Sequence, residues 1–278
     1  MGGRKGLPTY PLTAIETRHS SHAASLESAV RRQGHRAREV LAGRVPREPL
    51  PSLHVALCAL VLVLWSMLPA TGETPAPQTG GTPLVLETFE QDRPFQFPAR
   101  WQVHGDRRQA EQTYQVRVEA DNHFLHAQAV SQAIQVGIVQ ELSPHAFPRL
   151  RWRWRVYQLP PGGDERQPAT HDSAAAVYVV FDNRLLPRVL KYVWSTTVPA
   201  GTQLTNPLYW RAKIIVLESG TRGLEEWRQE TVDVYADYKA LFGAEPGEVL
   251  GVGVMSSSSH THSVVSADYD DFEMLRTE

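Results

Sequence analysis

Short apolar segments with a two-residue period recur along the chain from residue 84 onward, and this pattern constrains the fold more than any other feature of the sequence. Successive side chains of a β-strand point to opposite faces, so such segments are typical of strands. Gly, Pro, Asn or Asp stands between most of them, as expected for turns. The predicted strands are Leu84–Phe89, Tyr114–Glu119, Phe124–Ala129, Ile134–Leu142, Leu150–Tyr157, Ala174–Phe181, Val189–Ser195, Ala212–Glu218, Trp227–Val234, Val249–Met255 and Tyr269–Leu275.

These strands, with turns between them and no alternation of strands and helices, predict an all-β domain: an antiparallel β-sandwich of jelly-roll type. One segment, Asp233–Gly243, has a helical pattern instead, because Val234, Tyr238 and Phe242 recur at the spacing of one helix face. Gly243 is a favourable residue for the end of that helix. We therefore expect a single short helix beside the sandwich.

The segment Leu53–Leu68 is almost wholly apolar and precedes the first predicted strand. A helix of this length spans about 24 Å, which is less than the ~30 Å of a bilayer core. Arg47 precedes the segment, and Ala70 and Gly72 are the small residues that a signal-peptide cleavage site before Glu73 requires. The predicted organisation is a basic leader at residues 1–50, a signal-peptide segment at 51–72, a linker at 73–83 and a β-sandwich domain at 84–278.

The charge of the chain changes sign between its two ends. Residues 1–72 contain nine Lys and Arg against four Asp and Glu, whereas residues 73–278 contain 19 against 26. We expect a translation start near Val45 or Leu50, with residues 1–50 as mistranslated or disordered sequence, and export to the periplasm or secretion through a Sec-type signal. The alternative is an uncleaved anchor whose basic end stays inside. In both cases only the leader contacts a membrane.

Charge, cysteine content and motifs exclude several classes of function. The formal net charge of -2 gives no basic footprint for nucleic acid. Cys58 is the only cysteine and lies in the signal segment, so the exported part has neither a disulfide nor a thiol nucleophile. The sequence contains no G-x-S-x-G elbow and no phosphate-binding glycine loop. We expect no cofactor.

The strand around residue 152 has the sharpest alternation in the chain. Its apolar face carries Trp152 and Trp154, and its other face carries a ladder of arginines. The ladder either pairs with carboxylates on neighbouring strands, such as Glu119 or Glu141, or forms a cationic face for an acidic polymer such as uronates. Cross-strand pairing is the commoner use of such residues. The arginine ladder consists of Arg149, Arg151, Arg153 and Arg155.

Several polar and aromatic residues stand at strand ends or on strand faces and are candidates for contact with a ligand. Asp172 precedes a predicted strand and can serve as a turn residue, a ligand-binding acid or a catalytic acid. Tyr192 and Trp194 share one strand face, and their rings either stack on sugar faces or fill the core. Asn206 lies in a loop of the kind that carries function at a sandwich rim. The candidate ligand-binding residues are Asp172, Lys191, Tyr192, Trp194, Asn206 and Asp268.

Two sets of side chains are candidates for chemistry. Asp172 together with Asp268 or Asp270 offers the two carboxyl groups that glycoside hydrolysis needs, if they converge to about 5–9.5 Å. Alternatively, Asp172 is a turn residue, and Asp268 and Asp270 pair with the arginine ladder. His260 and His262 are two residues apart and are candidates for zinc or copper ligands, with a third ligand from elsewhere. That spacing is also common in polar loops and predicts no metal by itself.

Six motifs follow one another in a fixed order: Leu150–Val156, Ala175–Phe181, Leu190–Trp194, Trp227–Tyr238, Gly251–Met255 and Ala267–Phe272. Together they resemble a bacterial family of exported proteins known as a domain of unknown function, DUF3047. The resemblance covers about residues 84–275 and implies an exported, single-domain, mostly β protein, without implying an activity. The chain departs from the family pattern at Ser256–Ser263, where the family tends to have acidic and Asn or Thr residues. A cation site built from acids in that loop is therefore not implied.

These observations favour a non-catalytic module that binds a glycan or an envelope polymer, because a jelly roll offers an open sheet face and this one is rich in aromatic residues. A glycan-active hydrolase or lyase that uses a carboxylate pair is the first alternative. A structural envelope protein whose arginine ladder meets a partner is the second. Exposed aromatic rings without a free acid pair favour the binding module, and two converging carboxylates favour the enzyme.

Overall fold

The computed structural model describes residues 82–182 and 186–277, and every predicted strand is present in it. The expectations for the leader, the signal segment and Cys58 fall on residues outside this description. No helix within the described ranges has the length and apolar character that a membrane span requires. The strands are β1 (Leu84–Glu87), β2 (Gln102–His104), β3 (Tyr114–Glu119), β4 (Asn122–Val130), β5 (Gln135–Leu142), β6 (Arg149–Gln158), β7 (Ala175–Phe181), β8 (Arg188–Ser195), β9 (Gln203–Thr205), β10 (Ala212–Ser219), β11 (Arg228–Asp233), β12 (Val249–Met255) and β13 (Val264–Leu275), and the helices are α1 (Arg107–Thr113) and α2 (Val234–Phe242), with a 3-10 turn at Pro168–Thr170.

The strands form two sheets that pack face to face. The first sheet has the order β11, β6, β13, β4, β3, and β1 pairs with the C-terminal end of β13. The second sheet has the order β2, β5, β12, β7, β8, β10, β9. The fold is therefore a mostly β, two-sheet sandwich of jelly-roll type, as predicted.

Three features differ from the prediction. β10 runs parallel to β8, with Ile215 opposite Tyr192, whereas the strand pattern predicts antiparallel pairing throughout. The chain crosses over between these strands through β9, which pairs antiparallel with β10. The strands β2 and β9 are three residues long, too short to show a period. The helix α1 is a second short helix, and with only Ala110 and Thr113 buried it has no apolar face that signals it.

Large aromatic side chains from both sheets meet in the core. Trp152 of the first sheet packs on Tyr192 of the second, with ring centroids 5.8 Å apart, and Trp154 packs on Trp194 at 6.1 Å. All four are fully buried, and burying each ring contributes on the order of 2–3 kcal/mol. Tyr192 and Trp194 therefore fill the core and line no outer face. This placement replaces the expectation that their rings contact a ligand.

The predicted helix is α2, which packs against β6 and β8. Asp233 caps its start by accepting a hydrogen bond from the backbone N–H of Ala236 at 2.8 Å. Gly243 ends it in the left-handed region, at φ 64°. The hydroxyl of the buried Tyr238 donates to Asp182 at 2.7 Å, which fixes the helix to the end of β7.

Candidate functional site

The arginine ladder lies on the outer face of the first sheet and is paired with carboxylates. Arg151, Arg153 and Arg155 each contact an acid from a neighbouring strand or turn, which confirms cross-strand pairing for these three residues. Glu119, one of the two acids that the sequence singles out, is among the partners. The pairs are Arg151 with Glu273, Arg153 with Asp270 at 2.7 Å and Asp271 at 2.8 Å, and Arg155 with Glu119 at 3.0 Å and Asp268 at 2.9 Å.

Asp268 is the centre of this pairing and is fully buried. Its Oδ2 accepts hydrogen bonds from Arg155 Nε at 3.0 Å and from the Tyr157 hydroxyl at 2.7 Å. Its Oδ1 lies 2.7 Å from Nδ1 of His126, whose side chain is 23% exposed. An ionised carboxylate only accepts, so His126 donates through Nδ1 and keeps Nε2 for another partner. Asp268, His126, Arg155, Tyr157 and Glu119 form what we call the Asp268 network.

A β-bulge explains how these side chains reach one carboxylate. Asp268 of β13 lies opposite His126 of β4 and Arg155 of β6. Beside this point the pairing of β13 with β6 shifts by one residue, and Tyr157 is the residue of β6 that has no opposite partner. The extra residue lets Tyr157 and Arg155 of the same strand both reach Asp268.

Aromatic rings surround the Asp268 network. The ring of Trp227 lies over the guanidinium groups of Arg153 and Arg155, with its centroid 4.8 Å and 4.6 Å from their Cζ atoms. Phe124 contacts the same indole edge-on at 5.6 Å. Trp227 is half-buried, and Tyr157 is 36% exposed. This face therefore combines accessible ring surface with oriented polar groups.

Burial changes the proton affinity of two groups on this face. Burial and the hydrogen bond to Asp268 raise the pKa of Tyr157 above its usual range. The phenol therefore stays protonated and remains a donor to Asp268. Burial also raises the pKa of Asp270 to about 6, although Asn122 and Arg153 bind its carboxylate.

At the end of the second sheet, Asp172 is also fully buried, but its partners belong to one loop. Its Oδ2 accepts from the backbone N–H groups of His260 at 3.0 Å and Thr261 at 2.7 Å and from the Thr261 hydroxyl at 2.9 Å, and its Oδ1 accepts from the Ser257 hydroxyl. Nδ1 of His260 also lies 3.4 Å from Oδ1. Burial acts against ionisation, but the hydrogen bonds from the side chains of His260, Ser257 and Thr261 and from the Thr261 N–H outweigh it and lower the pKa of Asp172 below its usual range. We call Asp172 and these three partners the Asp172 clasp.

The loop before β7 carries two further buried polar side chains. Glu165 accepts hydrogen bonds from the hydroxyls of Ser173 at 2.7 Å and Ser195 at 2.5 Å. Nδ1 of His171 lies 3.0 Å from the backbone oxygen of the same glutamate. Burial, and then the charge of Lys191, lower the pKa of His171 to about 3, so its imidazole is neutral.

The other two predicted ligand residues lie apart from the Asp268 network. Lys191 is fully buried on the outer face of the second sheet, with its Nζ 5.5 Å from the ring centroid of Tyr178. Asn206 is almost fully buried, and its Oδ1 accepts from the backbone N–H groups of Leu208 at 2.8 Å and Tyr209 at 3.2 Å. Asn206 thus closes a turn, and its contact with a ligand stays a prediction.

The two histidines proposed as metal ligands have different surroundings. His260 belongs to the Asp172 clasp, whereas His262 is exposed and has a left-handed φ of 49°. Among the residues that the structure describes, no group of three or more His, Cys, Asp or Glu side chains is arranged to hold a metal ion. Among these residues, no third side chain is arranged with His260 and His262 to complete a metal site.

The predicted carboxylates separate into two places. Asp268 and Asp270 lie on the outer face of the first sheet, and Asp172 lies at the end of the second. Within residues 82–182 and 186–277, no side chain is found hydrogen bonded to both Asp172 and Asp268. Each of the three carboxylates already binds donors of the protein. Asp268 and Asp270 therefore bind donors of the first sheet, whereas Asp172 binds donors of the loop before β13.

Sequence reasoning misses the aromatic and imidazole side chains of the outer face: His126, Tyr157 and Trp227. His126 and Asp268 are 142 positions apart in the chain, and a two-residue period gives the faces of a strand but not its neighbours. Tyr157 and Trp227 each stand at the end of a predicted strand, where the pattern is weakest. A histidine on the polar face of an alternating strand is the one signal that points to His126.

Comparison with known proteins yields a family and a set of similar folds. The sequence profile of the family described as "Protein of unknown function (DUF3047)" matches residues 99–273. No curated protein matches the chain in sequence. Similar solved structures include TmCBM61 in complex with beta-1,4-galactotriose (12% identity, TM-score 0.32, 69% of this chain and 99% of that chain), the Emp47p carbohydrate recognition domain (11%, 0.35, 70% and 95%) and the family 11 xylanase from Neocallimastix patriciarum (12%, 0.32, 59% and 91%). At these values the likeness concerns the fold alone.

Proposed function

The chain belongs to the DUF3047 family, and we propose that it is a non-catalytic β-sandwich that binds a glycan or another polymer of the cell envelope at the outer face of the first sheet. The observation that carries this proposal is the buried carboxylate of Asp268. It holds His126, Arg155 and Tyr157 in fixed positions beside accessible aromatic surface.

The Asp268 network is better suited to orienting side chains than to stabilising the fold. Removing Asp268 and Arg155 from water costs several kcal/mol, and their mutual attraction largely does no more than offset that cost. The hydrogen bonds from His126 and Tyr157, both 2.7 Å long, restrict the rotamers of these side chains before a ligand arrives. Oriented side chains lose less entropy on binding, which favours a recognition surface.

The chemistry of this face suits a sugar. Aromatic rings offer apolar surface for the C–H face of a sugar ring, and nearby polar groups bind its hydroxyls. The rings of His126 and Tyr157 lie 6.3 Å apart at 64° to each other. The hydroxyl of Tyr157 donates to Asp268, so its oxygen is free to accept from a sugar hydroxyl, and Nε2 of His126 offers a second contact.

The ion pairs support a binding module over a hydrolase. A glycosidase needs one carboxyl group as an acid and a second as a nucleophile or base. Asp268 and Asp270 are each held by an arginine of the ladder, at 2.9 Å and 2.7 Å. An arginine partner favours the ionised form of each acid, which suits an orienting role better than proton donation.

We propose the same export route that the sequence predicts. A signal segment at residues 51–72, cleaved before Glu73, delivers the domain to the periplasm or the medium, where envelope polymers are present. N-terminal sequencing of the exported protein is expected to begin at Glu73. Recovery of an intact leader contradicts cleavage and favours the anchored alternative.

A glycan array and a calorimetric titration test the binding proposal. The array, probed with the purified protein, identifies an oligosaccharide, and titration with that oligosaccharide gives Kd. The variant Tyr157→Ala removes the exposed ring, and we expect it to weaken binding by about tenfold, or about 1.4 kcal/mol. The matched control is Trp210→Ala, which removes a 72% exposed ring outside this face and is expected to leave Kd unchanged.

Two results contradict the proposal. One is the absence of signal from every sugar on the array. The other is an equal Kd for Tyr157→Ala and the unchanged protein, since the ring then takes no part in binding. Circular dichroism of both variants verifies that each retains the native strand content.

A further inference from the structure

Arg117 lies on the outer face of the first sheet but does not belong to the arginine ladder. It stands on β3 directly opposite Phe124 of β4, and its neighbour Val116 is fully buried on the inner face. Within residues 82–182 and 186–277, no carboxylate forms an ion pair with its guanidinium. Glu119, two residues further along the same strand, is bound to Arg155 at 3.0 Å instead. Among the described residues, the positive charge of Arg117 is therefore not paired with an acid.

The two terminal nitrogens of Arg117 are accessible from outside the protein. In the described part of the chain, its Nε is buried without a hydrogen-bond partner, and Nη1 and Nη2 also donate to no group but are not buried. A guanidinium presents its donors as a planar fork, which matches the two oxygens of a carboxylate. The accessible end of Arg117 therefore suits a carboxylate that a ligand supplies.

The ring of Phe95 lies beside this guanidinium, with its centroid 5.0 Å from Cζ, and is 65% exposed. Its backbone is left-handed at φ 63°, a strained conformation for a bulky side chain and one that clusters at ligand sites. The N–H of Phe95 donates to the carbonyl of Val116 at 2.8 Å, and the carbonyl of Gln96 accepts from the N–H of Val116 at 2.9 Å. Backbone pairing with β3 thus holds an apolar ring in water next to the Arg117 cation.

Contacts across the strands connect Phe95 with the Asp268 network. Arg117 lies opposite Phe124, whose ring centroid is 5.5 Å from Cζ of Arg155. The sheet order from the strand of Arg155 to the strand of Arg117 is β6, β13, β4, β3, which is three strand spacings or about 14 Å. A ligand that reaches from the Asp268 network to Arg117 is therefore an oligosaccharide rather than a single sugar.

We propose that the ligand of the outer face is an acidic oligosaccharide, in which the carboxylate of one uronate binds Arg117 while the sugar ring packs on Phe95. This inference rests on the function proposed for the Asp268 network, and it adds the class of glycan and its direction across the strands towards β3. The ladder is not available for this purpose, because each of its outer-face ion pairs already holds a carboxylate of the sheet. These occupied arginines are Arg151, Arg153 and Arg155.

The probes are tetramers of D-galacturonate, D-mannuronate and D-glucuronate, each paired with its methyl ester. The ester keeps the sugar rings and removes the charge, so the two members of a pair differ only at the carboxyl groups. Calorimetric titration at pH 7 gives Kd for each probe. We expect at least one acidic tetramer to bind about tenfold more tightly than its ester, because a charge-assisted, two-pronged contact is added to the ring contacts.

Three variants assign this preference to residues. Arg117→Gln is expected to weaken binding of the acidic tetramer by about tenfold and to leave Kd of the ester within about twofold. Phe95→Ala is expected to weaken both forms by about threefold, since the ring contacts sugar in each. The matched control is Arg108→Gln, which removes the same charge from an exposed position on α1 and is expected to change neither Kd.

Two results overturn the inference and leave the binding proposal intact. One is an ester that binds as tightly as its acid while Tyr157→Ala still weakens both. The other is a preference for the acid that persists in Arg117→Gln. If no tetramer binds, acidic or neutral, the inference is overturned, and the remaining sugars of the glycan array decide whether the binding proposal fails with it.

A second substitution at the same position covers the case in which Arg117→Gln does not fold, as judged by circular dichroism. Arg117→Lys keeps the charge and loses the planar fork. We expect it to weaken binding of the acidic tetramer by about threefold and to leave the ester unchanged. An unchanged Kd for the acidic tetramer in Arg117→Lys overturns the inference.

Discussion

Asp268 and Asp172 are both fully buried aspartates, yet the protein holds them in different ways. Asp268 is surrounded by the side chains of His126, Arg155 and Tyr157, which come from two neighbouring strands. Asp172 is surrounded by hydroxyls, backbone N–H groups and the His260 imidazole, all from one loop. The first arrangement places functional side chains on a sheet face, and the second fixes a loop.

The two arrangements also balance charge differently. The charge of Asp268 is opposed by the guanidinium of Arg155, which is itself only 8% exposed. The charge of Asp172 is stabilised by hydrogen bonds from the His260 imidazole, two hydroxyls and the Thr261 N–H, which lower its pKa despite burial. Removing Asp268 therefore leaves the buried guanidinium of Arg155 with the exposed Glu119 as its counterion. Replacing Asp172 by an amide keeps an oxygen that the loop donors can still reach. This difference sets the order of the expected effects on stability.

The largest effect is expected for Asp268→Ala. A buried ion pair that loses one partner costs about 3–5 kcal/mol. Arg155 then keeps only a solvent-exposed acid, Glu119, in place of its buried counterion. Urea denaturation at pH 7 measures the loss. The control Glu273→Ala removes a partly exposed partner of Arg151 and is expected to cost about 1 kcal/mol or less. Equal losses for both variants contradict the central place of Asp268.

The second effect is expected for Asp172→Asn, at about 1–3 kcal/mol at pH 7. Because the pKa of Asp172 is lowered in the folded state, its ionised form contributes stability above its ordinary pKa of 3.8 and loses that contribution as the pH falls further. The difference between the two proteins is therefore expected to shrink below pH 3.8. Thermal unfolding between pH 3 and 7 measures it, and a constant difference over that range shows that Asp172 is not stabilised as an anion.

The fold follows from the sequence because its strongest signals are local. The alternation of Trp152 and Trp154 with the arginine ladder gives one inward and one outward face, and the structure confirms both. The helix α2 follows from its apolar spacing and from Gly243. The parallel pair of β8 and β10 does not follow, because the direction of a strand depends on how the connection crosses the sheet.

The candidate site follows from the sequence only in part. Asp172 can be selected because it stands beside His171 at the start of a predicted strand, and Asp268 because it shares a strand face with Asp270. The alternation of Lys191 with Tyr192 and Trp194 gives two faces but does not say which one is inner. The sequence therefore leaves both uses of the aromatic pair open, and the structure has the rings in the core. His126 joins Asp268 only through the pairing of β4 with β13, which no local pattern encodes.

A third test uses Asp270, which lies two residues beyond Asp268. Its pKa is raised in the folded state, whereas that of Asp172 is lowered. Burial raises its pKa to about 6, so the folded state binds a proton that the unfolded state releases near pH 3.8. Stability contributed in this way is lost as the pH rises from 3.8 through 6. We expect Asp270→Asn to reduce that loss by about 1–2 kcal/mol, since the amide that replaces the carboxyl group cannot titrate while Arg153 retains Asp271. Denaturation at pH 4 and pH 7 measures the free energy of unfolding at each pH. If the difference between the two values is the same in Asp270→Asn and the unchanged protein, Asp270 is not the group that titrates.

The last two variants have the smallest expected effects on stability, but their expected effects on glycan binding distinguish Asp268 from Asp172 most clearly. Tyr157→Phe removes one donor from Asp268, and Ser257→Ala removes one donor from Asp172. Each change deletes a single hydroxyl, so we expect both to cost about 0.5–1.5 kcal/mol in urea denaturation. Their effects on glycan binding should differ, because the Tyr157 hydroxyl orients a ring on the recognition face, whereas the Ser257 hydroxyl only closes a loop. We expect Tyr157→Phe to weaken the calorimetric Kd by about threefold and Ser257→Ala to leave it unchanged. If Ser257→Ala weakens binding and Tyr157→Phe does not, recognition belongs to the Asp172 end of the sandwich. The two variants lose the same stability, so the difference in Kd then reflects where each hydroxyl lies.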